Sequence, residues 1–458
     1  MLNRVKFWAS FIGIGATISL AQMPATAVTT PDIAKTVTSL AALRLSPSTQ
    51  TSLRIADKKL VFWDSDSPEE RQPQRKKAGS AERNVAKANE YFNLAIQKAN
   101  KGDDRGAISD YNRAIRLNPK FAKAYNNRGL LKSRKQKDPQ WALADYNQAI
   151  KLDANYAEAY SNRGLLKAEK TKDLKGAIAD LNKAIQIDAN YAIAYYHRGV
   201  VKENKFNDPQ GALADYNQAI KLDPNYAIAY DHRGVLKENK LNDPQGALAD
   251  YNQAIKLDPK YAIAYDHRGV LRENKLNDPQ GALTDFDRAI KLDPKYAKAY
   301  YDRGILKQAK LKDVQGALTD FDQAIQLNSN DSRAYNHRGV LKLEKTNDLP
   351  GALADFKQAI ELDSKFANPY YNRGVLKAEK LSDFQGALVE YEMAIKLAPN
   401  YANPYELRGL LKYNQLKDLP SGIKDMQQAA KLYQRQGDLE SAQRAIDYLK
   451  KWGIATGI

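Results

Sequence analysis

From Ala122 to about Gln436 the apolar positions of the chain return every 35 residues. With each unit numbered from one, position 4 is Tyr, 7 Arg, 8 Gly, 17 Asp and 28 Ala in all nine units. Position 21 is Ala in eight, positions 9 and 10 are aliphatic, and 22, 25 and 29 are aliphatic or aromatic. Apolar and small residues at 1, 4 and 8, flanked by 3 and 10, share one face of a helix, so the pattern predicts helix A over about positions 1 to 14. Helix B is expected to start after Asp at 17, which can cap its first amides. In four units Pro follows, as in Asp208-Pro209 and Asp243-Pro244, and Pro suits a first helical position. An earlier unit, Ala88 to Phe121, has 34 residues and a shorter turn. Two helices that leave a face for the next pair to cover make a stacked array, not a globule.

Gly at 8 weakens an isolated helix by about 1 kcal/mol relative to Ala, so its recurrence calls for close helix packing. Arg at 7 is matched by an acid at 24 in every unit, for example Arg233 with Asp250, Arg268 with Asp285 and Arg373 with Glu390. That repetition points to a structural ion pair, since a catalytic pair is not needed nine times. Basic residues at 11 and 14 sit near the C-terminal end of helix A and complement its dipole.

Small residues at 8, 21 and 28, an aromatic at 4, an aromatic or aliphatic at 25 and Pro near 33 (Pro224, Pro259, Pro294) resemble the tetratricopeptide repeat family. The resemblance covers residues 88–436 as ten units and implies an all-α fold, a right-handed superhelical solenoid of stacked antiparallel helix pairs. The unit departs from the family in its extra residue, expected in the A–B turn, and in the base at 11. Residues 437–458 diverge. A turn at Gly437-Asp438, a helix over about Leu439 to Lys451 and Trp452 are expected to cap the array.

The resemblance also places ligands on helix A at positions 2, 5, 9, 12 and 13. Carried over, these give Ile193, Tyr196, Val200, Glu203 and Asn204, then Ile228, Asp231, Val235, Glu238 and Asn239, then Ile263, Asp266, Val270, Glu273 and Asn274. An apolar floor, an acidic row and an asparagine row are expected, with Tyr301 and Tyr371 adding contacts in later units. Asn can pair with the backbone of an extended peptide, and the acids would favour basic side chains on it. A solvated helix face is the plain alternative. One subset of the family clamps a C-terminal carboxylate with Asn at position 9. Here that position is aliphatic throughout, so no such clamp is expected.

The chain begins with Arg4 and Lys6, then an uncharged apolar run from Phe7 to Ala21, then Ala25-Thr26-Ala27. This is the three-part pattern of a secretory signal peptide over residues 1–27. Residues 28–87 read as a polar linker without stable order, containing the basic spacer Arg71–Lys77 and one apolar island, Leu60 to Trp63. Export implies a periplasm. The Arg-Gly style of the repeats resembles tetratricopeptide proteins of photosynthetic bacteria and keeps a thylakoid lumen open. An uncleaved segment would instead tether the chain to a membrane.

With no cysteine among 458 residues, thiolate chemistry and disulfides are excluded. The four histidines, His197, His232, His267 and His337, all occupy position 6. Equivalent positions in a stack lie roughly 8–10 Å apart, too far to share a zinc ion, so they read as surface or inter-repeat hydrogen-bonding groups. No phosphate-binding, dinucleotide or nucleophile-elbow motif occurs. No enzyme, metal or cofactor is expected. The formal charge of +17 admits a second reading, a basic adaptor at an anionic membrane or polymer, nucleic acid being disfavoured by export. A third is the regulatory partner of a separate enzyme. The leading expectation is an exported scaffold that binds a protein or extended peptide and serves assembly of a complex.

Overall fold

The computed structural model describes residues 72–135 and 139–455. The expected signal peptide, the island Leu60 to Trp63 and the spacer up to Arg71 lie outside the described residues. The described chain is all-α, with 21 α-helices following one another in antiparallel pairs and no strand among the described residues. It divides into two compact units, one ending at His267 and one beginning at Arg268, so the division falls inside the helix Ala262–Asn274.

The first helix runs Gln72–Asn100, so residues 72–87, expected as spacer, are helical. Between Gln74 and Lys87 there is no Pro, and Ala, Glu, Arg and Lys supply strong helix propensity. Polar composition alone did not distinguish a solvated helix from a coil there.

Helix A and helix B alternate as in Ala227–Asn239 and Pro244–Leu257. One Asp at position 17 serves both. Its backbone N–H closes helix A, as where Asp243 donates to the Lys237 carbonyl at 2.9 Å. Its carboxylate opens helix B by accepting from the Gly246 N–H at 2.8 Å. The residue before it takes a left-handed conformation, with φ of 49° at Asn207, 50° at Asn242 and 51° at Asn277. Asn tolerates that conformation better than most residues. The extra residue of the unit is therefore absorbed at the end of helix A. In four units it is wound into a π-helical turn, Lys167–Thr171, Lys307–Leu311, Lys342–Thr346 and Lys412–Leu416.

Between the helices of a unit, Gly at 8 meets the ring at 25. A Cβ built on Gly234 would stand 2.7 Å from Tyr251 Cε1, and one on Gly269 the same distance from Phe286 Cε1. Both rings are fully buried. The last helix, Leu439–Lys451, packs Ala445, Tyr448 and Leu449 against Leu410, Met426 and Ala430. Trp452 stacks on Tyr413 with ring centres 3.8 Å apart and planes within 6°.

Candidate functional site

The charged residues of the repeat are mostly spent on the scaffold. Arg233 donates through Nε and Nη2 to the two oxygens of Asp250, at 2.9 and 2.6 Å. Its Nη1 reaches back to Asn217 of the preceding unit at 2.7 Å, and its guanidinium lies over the Tyr230 ring. Lys237, at position 11, joins the same carboxylate at 2.8 Å. All nine units carry this three-membered arrangement, with Arg or Lys at 11 and Glu390 standing for Asp in one unit. The base at 11 is thus an ion-pair partner as well as a dipole complement.

A second pattern escaped the sequence reading. Position 5 of one unit pairs with position 6 of the next. Asn162 donates to Asn126 at 3.1 Å, and Asn372 to Asn336 at 2.9 Å. Ser161 and His197 share a hydrogen bond of 2.8 Å, Tyr196 and His232 one of 3.1 Å, and Asp231 and His267 one of 2.9 Å. Tyr301 meets His337 edge-on at 5.8 Å. The histidines therefore join neighbouring repeats. Burial pushes His197, His232 and His337 down to about 4, so they are neutral at pH 7. The signal was available as residue types matched at a separation of 36. Among the described residues no group of three or more acids and imidazoles gathers to hold a metal ion.

These contacts redistribute the candidate residues. Tyr196, Asp231 and Asp266 are buried. Burial raises the Asp231 carboxyl, but His267 and the Tyr261 hydroxyl outweigh it and hold the carboxyl below its ordinary range. Tyr301 packs on Phe321, and Tyr371 lies beside Tyr391 and Tyr401. Ile263 is buried, and Ile228 packs half-buried on the core around Tyr196 and Val200, while Ile193 is also half-buried. The expected open acidic row is corrected. Glu203, Glu238 and Glu273 are only 6%, 9% and 7% exposed. Tyr216 donates to Glu203 at 2.7 Å and Tyr251 to Glu238 at 2.8 Å. These acids face inward because position 12 adjoins the buried ring at 25 of the same unit, which periodicity along one helix does not reveal. The expectation that they favour basic side chains on a ligand falls with their exposure.

The asparagine row stands differently. Asn239 and Asn274 are exposed and Asn204 half-buried. None of the three makes a side-chain hydrogen bond among the described residues.

Burial raises the Glu203 carboxyl to about 7, against smaller lowering by the Tyr216 hydroxyl and Lys240. The folded chain holds this proton more tightly than the unfolded one, whose ordinary value is 4.5. Stability is therefore lost as pH rises from about 4.5 to 7 and levels off above, by on the order of 3 kcal/mol. Glu203→Gln keeps an oxygen for Tyr216 and removes the charge. It is expected to raise the local unfolding free energy at pH 8 and leave it unchanged at pH 4. Equal effects at both pH values in denaturant titrations would contradict the assignment.

The family described as TPR repeat matches residues 99–136, 140–170, 170–205 and 345–380. The one described as Tetratricopeptide repeat matches 203–262, 238–297 and 271–332. No curated protein matches the sequence as a relative. Among solved structures, YrrB, described as a TPR protein with an unusual peptide-binding site, is 27% identical. The match covers 42% of this chain and 97% of that one, with a TM-score of 0.35. Yeast Tom70 is 20% identical over 81% of this chain and 97% of its own, with a TM-score of 0.41. A monomeric mutant of IFIT1 with Gppp-AAAA is 13% identical over 79% and 90%, with a TM-score of 0.51, a likeness of fold alone. With its two family matches together spanning more than half of its length, and its helices repeating in pairs with no strand among the described residues, the chain belongs to the tetratricopeptide repeat family.

Proposed function

We infer that this protein is a non-enzymatic scaffold that binds an extended peptide segment of a partner protein along the exposed ends of its A helices. The observation that carries the reading is the recurrence of Asn at position 13 in consecutive units, exposed at Asn239 and Asn274 and half-buried at Asn204, without a side-chain hydrogen bond among the described residues. On the same helices the arginine at 7 and the base at 11 are tied to the acid at 24, and Glu203 and Glu238 to buried tyrosines. An amide side chain offers a donor and an acceptor, the pair a peptide backbone needs. The half-buried aliphatics Val235 and Val270 at position 9 leave apolar surface on the same helices.

The test is a displayed library of extended peptides panned on the full chain. Recovered peptides are expected to bind Asn204→Ala/Asn239→Ala about tenfold more weakly, from two lost hydrogen bonds of roughly 0.5–1.5 kcal/mol each. A library that yields no binder, or binders indifferent to both substitutions, sinks the reading.

The N-terminal pattern around Arg4, Lys6 and Ala25-Thr26-Ala27 supports export, to a periplasm or a thylakoid lumen, with assembly of a complex as the use. The mature chain is then expected to begin at Val28, which N-terminal sequencing of protein from its own cells checks. No helix among the described residues is long and apolar enough to cross a membrane.

A further inference from the structure

Position 14 carries Lys in eight of the nine units. Lys170, Lys205 and Lys240 in the N-terminal unit, and Lys275, Lys310, Lys345 and Lys380 in the C-terminal one, are all exposed. None of the seven forms an ion pair among the described residues. The contrast with position 11 is complete, since every base there is tied to the acid at 24. Lys240 makes one long hydrogen bond, 3.3 Å to Asn207. In three units the lysine directly follows the open asparagine, as Asn204-Lys205, Asn239-Lys240 and Asn274-Lys275.

Lys345 and Lys380 adjoin exposed acids, Glu344 and Glu379, whereas the acids near the earlier lysines are less exposed. Lys170 and Lys205 act on Glu169, Lys240 on Glu203 and Lys310 on Glu273. Burial holds each of those carboxyls above its ordinary range. In the three units with asparagine at 13, the preceding residue brings no acid beside Lys205, Lys240 or Lys275. No aromatic side chain alternates with them at positions 13 or 14 to stack a nucleic-acid base.

We propose that the exposed lysines at position 14 select an acidic partner, an extended peptide whose backbone pairs with the asparagines at 13 and whose carboxylates meet successive lysines. This rests on the peptide-binding reading above and reverses the ligand charge expected from the sequence. The spacing fits. Neighbouring A helices lie roughly 8–10 Å apart, and a chain in the polyproline II conformation advances about 3.1 Å per residue with three residues per turn, so an acid at every third position stays on one side and keeps step with the lysines.

The experiment uses the full chain and three labelled twelve-residue peptides of Ser and Gly with Glu, Lys or Ser at every third position. Fluorescence anisotropy is read at low and high salt. The Glu peptide is expected to bind about tenfold tighter than the other two and to weaken with salt. Lys205→Ser/Lys240→Ser is expected to abolish that preference, while Lys175→Ser/Lys221→Ser, exposed lysines of helix B, leaves it intact. Melting curves check that both variants are folded. Equal binding of all three peptides overturns the charge selection and leaves the scaffold reading standing. Binding of none, together with failure of the displayed library, removes both. Polygalacturonate competing as well as the Glu peptide at equal charge overturns the peptide and assigns the lysines to a polyanion surface.

Discussion

Asp250→Ala is expected to destabilise its repeat by about 3–5 kcal/mol, because it strands two cations around one vacated carboxylate. Arg233 would keep its contacts to Asn217 and Tyr230 but lose both bonds to Asp250, and Lys237 would lose its carboxylate partner. Asp250 is buried, so water cannot readily replace it. The same group replaced as a whole, Arg233→Met/Lys237→Met/Asp250→Leu, is expected to cost far less, since a buried ion pair nearly balances its own desolvation. The arrangement then acts chiefly to fix how helix A, helix B and the preceding unit are oriented. Because stability in a repeat array is a sum of nearest-neighbour terms, the loss belongs in the exchange rates of the units around Asp250 before it appears in the global melt. Unchanged exchange in Asp250→Ala would contradict this.

Gly234→Val should cost about 3 kcal/mol, and Gly234→Ala about 1–2 kcal/mol, despite the better helix propensity of both residues. The first added carbon already stands 2.7 Å from Tyr251 Cε1 and 2.9 Å from its Cδ1. The ring is fully buried and its hydroxyl is held by Glu238, so it has nowhere to turn. Tyr251→Ala in the Gly234→Ala background would relieve the clash and leave a cavity of its own, so the two losses are expected to be less than additive. Strict additivity in a double-mutant cycle by chemical denaturation would show that Gly234 serves some other purpose.

The sequence made the scaffold legible because the scaffold is what repeats. The 35-residue period, the two helices, the capping Asp and the pairing of Arg at 7 with the acid at 24 all follow from positions that never change or change conservatively. The site was less legible. Periodicity along one helix shows which residues share a face, but not which part of that face the next unit covers. So Glu203 and Asp231 looked like ligand contacts and proved to be held by Tyr216 and by His267. Asn239, expected as a ligand contact, stayed open, and so did Lys240, expected only to complement the helix dipole. The link between Tyr196 and His232 was hidden because it joins two variable positions, each unremarkable alone. The helix beginning at Gln72 was missed because its outward residues carry the same polar composition as a spacer.

The division of labour between repeated and variable residues is tested most directly by photocross-linking. A peptide recovered from the displayed library, carrying one benzophenone group, is irradiated on the full chain and the adducts are mapped by mass spectrometry. Adducts are expected on the ends of the A helices, around Asn204-Lys205 or Asn239-Lys240 in the N-terminal unit and Asn274-Lys275 in the C-terminal one. Adducts confined to helix B, or scattered over exposed lysines without regard to position in the repeat, would contradict the account.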